Sequence, residues 1–173
     1  IGIFMSGTIG DNVYRASGVI ASAAGGGKVL QVVSTTKTDT FTADSTSAYV
    51  DITGITVSIT PAATTSKILI FGTTYVSNDS GDISTQIVRD STPIAIADAS
   101  GSRRVSTAAG SPRNQYEVQS QPFNYLDSPS TTSETTYKIQ VQGTVYVNMQ
   151  QDDTDGTTTN RTISTITVME IGA

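Results

Sequence analysis

Cysteine and histidine are both absent from the 173 residues of this chain. Without cysteine there are no disulfide bonds and no thiolate nucleophile, and without histidine there is no Ser-His-Asp or Cys-His catalysis. Ordinary zinc sites, which are built from these two residue types, are excluded as well. Stability must therefore come from packing or from oligomerisation, and the sequence predicts no metal and no cofactor.

Charge is scarce too, since charged residues make up 14% of the chain and the net charge is -5. Binding of nucleic acid needs a clustered cationic face, so this charge balance disfavours nucleic acid as a partner. No apolar run approaches the ~18 residues that a membrane-spanning helix requires. We therefore expect no membrane insertion.

Hydroxyl side chains dominate what is present, because Ser and Thr together account for about 50 residues. Thr is β-branched and favours strands, whereas a helical protein would be rich in Ala, Leu, Glu and Lys. The composition predicts an all-β fold. Low charge with many hydroxyls is common in extracellular and virion surface β proteins.

The stretch Tyr137–Met149 has the clearest pattern, with apolar and polar residues alternating along its whole length. Side chains on a strand point alternately to the two faces of a sheet, so one face of this strand should be buried and the other solvated. Its length would be roughly 40 Å, which is long for a strand. Gly143 in the middle predicts a bulge or a break.

Further strand patterns follow one another from Lys28 onward, separated by polar turns and one long irregular piece, Asp98–Gln121. The main ones are Val29–Thr35, which we predict to be central, Ile55–Ile59, Lys67–Val76, Ile83–Arg89 and Ile163–Ile171. Regular turns with no helix between strands predict an antiparallel β-sandwich or barrel. A jelly roll is the first choice and an immunoglobulin-like sandwich the second.

Residues 1–27 differ from the rest and are predicted to be an N-terminal arm, with residues 28–173 forming the β-sandwich domain. Asp11 or Asn12 could cap a short helix that runs toward Ala24, and the alternative is a disordered terminus. Three glycines at 25–27 predict a flexible joint.

The final strand carries apolar residues on both faces, which is typical of a strand inside a sheet or of one buried against a second subunit. We favour the subunit interpretation. The predicted interface residues are Ile163, Ile166, Val168, Met169 and Ile171.

Several segments in order resemble the C-terminal domains of tail-fibre-like proteins of tailed bacteriophages. They are Gly27–Val33, Ile55–Pro61 followed by Ser66–Ile70, Arg89–Ile94, Asn124–Pro129, Thr135–Lys138 and Ser164–Ile171. The resemblance implies a virion protein without catalytic residues, a homotrimer about a fibre axis that serves host attachment, with residues 1–27 joining it to other virion proteins. A capsid decoration protein and a subunit of an extracellular β filament remain alternatives.

Positive charge is concentrated in the long irregular piece, where Arg103, Arg104 and Arg113 lie near Tyr116. Guanidinium groups bind carboxylates, and aromatic rings stack on sugars. We predict that these four residues contact either an acidic host glycan or an acidic face of a neighbouring subunit.

Carboxylates cluster in Asp152–Gly156, which matches part of a calcium loop but lacks its downstream bidentate Glu. A solvated turn is the preferred interpretation. Glycosidases need two carboxylates ~5–9 Å apart, and nothing in the sequence pairs two of them, so no enzymatic activity is predicted.

Overall fold

The structure, a computed structural model, describes residues 27–78 and 81–172. These residues contain no helix. Their strands are β1 (Val29–Lys37), β2 (Phe41–Ile59), β3 (Lys67–Ser77), β4 (Ile83–Arg89), β5 (Thr92–Ile94), β6 (Ala108–Gly110), β7 (Val118–Asp127), β8 (Thr135–Val147) and β9 (Ser164–Ile171). The all-β prediction is confirmed, while the predicted helix in the arm lies outside the described residues.

The strands form two antiparallel sheets. The first has the order β1-β9-β3-β7, and the second has the order β2-β8-β4, with β5 and β6 both paired to β4. The sheets are continuous at one corner, where Val76 of β3 pairs with Val147 of β8, and their inner faces share one core cluster. This is the strand order of a jelly roll, so the predicted sandwich and its preferred architecture are confirmed.

Strand β8 is the centre of the second sheet, because it pairs with β2 on one side and with β4 on the other. Its apolar residues alternate into the core from Tyr137 to Val147, while Lys138 and Gln140 lie on the outer face. The alternating pattern in the sequence therefore predicted both the strand and its buried face. The strand ends two residues earlier than predicted, at Val147.

Gly143 marks an irregularity in the pairing of β8 with β2. Ser45 pairs with Gly143, but the next pair is Val50 with Val141, so residues 46–49 bulge out of the ladder. Gly143 has a φ of +126°, and a Cβ there would lie 2.8 Å from the carbonyl oxygen of Asp82. Only glycine fits both conditions, and the predicted break at this position is confirmed as a bulge of β2.

Two strand assignments need correction. Strand β1 is an edge strand and not a central one, because among the described strands it pairs with β9 alone. Its second apolar face misled the prediction, since Val32 points outward and is 52% exposed. Strand β2 runs from Phe41 to Ile59, so the predicted strand Ile55–Ile59 is only its last part, and the polar residues at 44–47 lead into its bulge.

A partly buried ion pair links the two sheets, with Asp127 buried and the Arg89 side chain 28% exposed. Arg89 of β4 donates from Nη1 to both carboxylate oxygens of Asp127 on β7, at 2.8 and 2.9 Å. The hydroxyl of Tyr137 on β8 donates to the same carboxylate at 2.7 Å. Burial, and then the hydrogen bond to Asp127, raise the pKa of Tyr137, so its hydroxyl stays neutral and remains a donor.

Glu170 is a second buried carboxylate, and it holds the turn between β2 and β3. Its oxygens accept from Gln31 Nε2 at 2.6 Å and from the Ala62 amide at 2.7 Å. Burial acts to raise the pKa of Glu170, but hydrogen bonds with Ser66, Gln31 and the Ala62 amide outweigh it, and the pKa is lowered from its ordinary 4.5. The ionised form is therefore the one that the fold stabilises.

We expect Glu170 to contribute to the acid sensitivity of the protein. Because its pKa is lower in the folded than in the unfolded state, its contribution to stability is present above about pH 4.5 and is lost as the pH falls below that value. The urea midpoint of the wild type should fall with pH in this window, and that of Glu170→Gln should fall less steeply. Parallel pH profiles for the two proteins would contradict this role.

Candidate functional site

A row of four apolar side chains crosses the outer face of the first sheet. Met169 on β9 pairs with Val32 on β1 and with Leu69 on β3, and Leu69 pairs with Leu126 on β7. Directly opposed residues share a face, so the four side chains stand next to one another. Val32 is 52% exposed and Leu126 50% exposed, while the two central residues are half-buried. We call these four residues the apolar row.

Further apolar side chains extend the row along the strands. Val29 pairs with Ile171, two positions along β9 from Met169, and Phe71 lies two positions from Leu69. A register shift between Val29 and Gln31 lets β1 present Leu30 outward as well, and Leu30 is 49% exposed. The apolar face consists of Val29, Leu30, Val32, Leu69, Phe71, Leu126, Met169 and Ile171.

The outer face of the second sheet is polar. Asp51 on β2 accepts from Lys138 Nζ at 2.8 Å and from Gln140 Nε2 at 2.7 Å, and Gln140 in turn accepts from Gln86 Nε2 on β4 at 2.7 Å. These groups are hydrogen-bonded along the sheet and suit contact with water. The two outer faces of the sandwich thus differ in chemistry, and only the first resembles a surface that is normally covered.

The five residues predicted to form a subunit interface divide into two groups. Ile166 and Val168 are fully buried in the core of this chain, so they have no surface to offer a partner, which corrects that part of the prediction. Met169 and Ile171 alternate with them and belong to the apolar face. Ile163 precedes β9 and is half exposed. For these three residues the interface remains a prediction.

Sequence reasoning missed Val32, Leu69 and Leu126 as surface residues. Consecutive apolar residues in β1 suggested a central strand, β3 was predicted only as a strand, and Leu126 carried no signal of its own. The alternation within each strand could have identified them, because every second residue points to the same face. In β3, Leu69 and Phe71 point to the face opposite to that of Ile68 and Ile70.

A groove of about 580 Å³ lies beside β4 and β6, and we call it the arginine groove. Its lining includes Arg103, Arg104, Asp82 and the three hydroxyls of Ser84, Ser106 and Ser111. Arg104 donates from Nη1 to the carbonyl oxygen of Asp82 at 3.2 Å and from Nη2 to that of Thr46 at 3.3 Å. Arg103 donates from Nη1 to the Ser100 carbonyl and hydroxyl oxygens, at 3.3 and 3.1 Å.

Tyr49 anchors the segment that carries these arginines. It lies in the bulge of β2 and donates its hydroxyl to the carbonyl oxygen of Val105 at 2.7 Å. Burial raises the pKa of Tyr49, and a hydrogen bond with Ser84 and the charge of Arg104 oppose that rise. The bulge thus holds the long irregular piece, Asp98–Gln121, against the second sheet and fixes the position of Arg104.

The other two predicted binding residues lie outside the lining of this groove. The Arg113 amide donates to Glu117 Oε2 at 2.9 Å, and Arg113 itself is exposed. Tyr116 is 58% exposed, and its carbonyl oxygen accepts from Gln150 Nε2 at 2.5 Å, which ties this segment to the loop after β8. The structure therefore brings together Arg103 and Arg104 and separates them from the second pair.

Hydrogen bonds organise the acidic loop Asp152–Gly156. Arg161 Nη2 donates to Asp153 Oδ2 at 2.6 Å, and the Thr154 hydroxyl donates to Asp152 Oδ1. No group of three or more acidic residues in 27–78 and 81–172 is arranged to hold a metal ion. Helices that could cross a membrane are likewise not found in the part of the chain that the structure describes.

No protein-family model matches the chain, and no curated protein matches it. Among solved structures it is similar to chains of infectious bursal disease virus. The chain from the T13 viral particle has 14% sequence identity and a TM-score of 0.44. The chain from the Gt strain has 16% identity and a TM-score of 0.46, and the chain from the Gx strain has 15% identity and a TM-score of 0.42. The matches cover 80–82% of this chain and 30–34% of those chains, so the chain spans about a third of their length. Similarity at this level carries no inference about what the chain binds or assembles with.

Proposed function

We propose that this chain is a non-enzymatic structural protein of a virion, whose copies assemble through the apolar face. The apolar row carries the proposal, because it places four neighbouring apolar side chains on the solvent side of the first sheet. The other side of that sheet already packs in the core. Covering such a surface with another copy removes apolar area from water, at roughly 25 cal/mol for each Å². Contiguous exposed apolar patches commonly mark protein interfaces.

The size of the apolar face favours a closed assembly over a simple dimer. Four strands spaced ~4.8 Å apart and at most three to four residues along each strand give an area of roughly 200 Å² per copy. A standard pairwise interface takes about 800 Å² from each partner. Three faces that meet on one axis let every copy contact two others, which agrees with the homotrimer that the sequence resemblance implies.

Host attachment is the role that we assign to the assembled trimer, with residues 1–27 joining it to other virion proteins. The ordered resemblance to tail-fibre-like domains supports this role, as do the absence of oxidisable thiols and the hydroxyl-rich composition. Three weakly binding copies on one axis gain avidity without any new contact.

The mass of the full chain in solution tests the assembly. We expect light scattering to give three times the 18.0 kDa of a single chain, since the apolar face is covered only in the oligomer. The mass should hold at high salt, because apolar contacts are not screened as ion pairs are. A monomer at about 0.1 mM protein would refute the proposal, because the apolar face would then contribute less than about 5.5 kcal/mol to association.

The position of the chain on purified particles tests the attachment role. Labelling with an antibody to the full chain should mark the tail tip of the particles that contain it. Label on the shell would instead indicate a decoration protein, and label on free filaments an extracellular filament subunit. Either of those results would replace attachment as the assigned role.

A further inference from the structure

We propose that the arginine groove binds the single carboxylate of an acidic saccharide. This inference rests on the proposed role in attachment and names the chemistry of the receptor. The observation behind it is the pairing of two fixed guanidinium groups with three serine hydroxyls in one groove of about 580 Å³. Ligand pockets typically have volumes of about 300–1,000 Å³, so one or two sugar rings fit.

The two guanidinium groups are held in place before any ligand arrives. Arg104 donates hydrogen bonds to the carbonyl oxygens of Thr46, in the bulge of β2, and of Asp82, which precedes β4. Arg103 donates hydrogen bonds to Ser100. An arginine side chain otherwise loses considerable rotamer freedom on binding. Because these hydrogen bonds restrict the side chains, part of that loss has already occurred on folding, and each arginine keeps further N–H donors for a ligand carboxylate.

Neither guanidinium has an acidic partner within the described residues. The ion pairs there involve Lys37, Arg89, Lys138 and Arg161 as cations. Positive charge therefore stays open in the arginine groove of a chain whose net charge is -5. An arginine presents a fork of donors that matches the two oxygens of a carboxylate.

The other residues that line the arginine groove indicate which kind of anion it would bind. Asp82 reduces the net charge of the arginine groove to one positive unit, which opposes polyanions such as nucleic acids or polysulfated chains and suits one carboxylate. Its carboxylate can also accept from a sugar hydroxyl, as can Ser84, Ser106 and Ser111. Six of the eight residues that line the groove have polar side chains, which favours a sugar ring over an apolar acid.

Titration calorimetry or NMR titration with a glucuronic-acid disaccharide tests the site on the full chain. We expect saturable binding by the wild type, and a loss of tenfold or more in R103S and in the R103S/R104S variant, since charge-assisted hydrogen bonds are lost. Arg113→Ser is the matched control, because it removes the same charge outside the lining of the groove and should bind as the wild type does. The methyl ester of the disaccharide should bind at least tenfold more weakly.

Several outcomes would overturn the proposal. Equal losses in Arg113→Ser and in R103S would show general charge attraction and no site. Equal binding of the acid and its ester would remove the carboxylate as the recognised group, and no saturable binding by a folded trimer would reject the site outright. Light scattering on R103S/R104S separates the two proposals: a trimer that no longer binds the acid supports both, and a monomer would make the groove a subunit contact instead of a receptor site.

Discussion

Leu126→Asp should convert the assembled protein to monomers while each monomer stays folded. Leu126 is half exposed at the edge of the apolar row, so its replacement removes little packing inside the chain. In the trimer the new carboxylate would be desolvated against the apolar faces of the other copies. Such a charge costs several kcal/mol, which corresponds to at least about a 100-fold loss in the association constant.

Light scattering over a dilution series measures this effect, and urea unfolding checks the fold. Thr42→Asp is the matched control, because it adds the same charge at an exposed position on the polar outer face of the second sheet. The control should keep the wild-type mass. If both variants remained trimeric, the apolar face would not be the contact surface.

Asp127→Ala should destabilise the fold by about 3–5 kcal/mol, since it leaves the Arg89 guanidinium without its counter-ion and the buried Tyr137 hydroxyl without its acceptor. A loss of this size is a large part of the total stability of a typical domain. The urea midpoint should fall by roughly 2 M, taking a slope of about 2 kcal/mol per molar urea.

Two controls make that prediction specific. Asp51→Ala removes an ion pair with Lys138 that is partly exposed, and it should cost about 1 kcal/mol or less. Replacing the whole cluster by apolar residues, as R89M, D127L and Y137F together, should recover much of the lost stability because no polar group stays buried without a partner. A triple variant as unstable as Asp127→Ala would contradict this account.

The sequence predicted most of the fold because a period of two survives in nearly every strand. The alternation from Tyr137 to Val147 specified a strand with one buried face, and Gly143 specified the irregularity beside it. What local patterns could not supply were long-range polar contacts. Asn148 is an example: it is fully buried at a φ of +62°, donates to the carbonyl oxygens of Lys37 and Asp39, and accepts from Ser164.

The candidate sites were predicted less completely, for a related reason. Residues near in sequence need not share a surface, and the four residues predicted to bind as a group divided into the pair Arg103 and Arg104 and the separate positions of Arg113 and Tyr116. The segment between β5 and β7 folds back on the second sheet, where the bulge of β2 holds it. The hydrogen bond from Tyr49 to Val105 that holds it joins residues 56 positions apart in the sequence. No local signal encodes such a contact.

By itself the sequence determined that this chain forms antiparallel sheets with two distinguishable series of side chains on each strand. Only the tertiary structure decided which series is covered. Ile166 and Val168 are as apolar as Met169 and Ile171, yet the first pair faces the opposite sheet and the second faces solvent. The physical reason is that side-chain alternation defines two faces of a strand, while burial depends on which face the second sheet packs against.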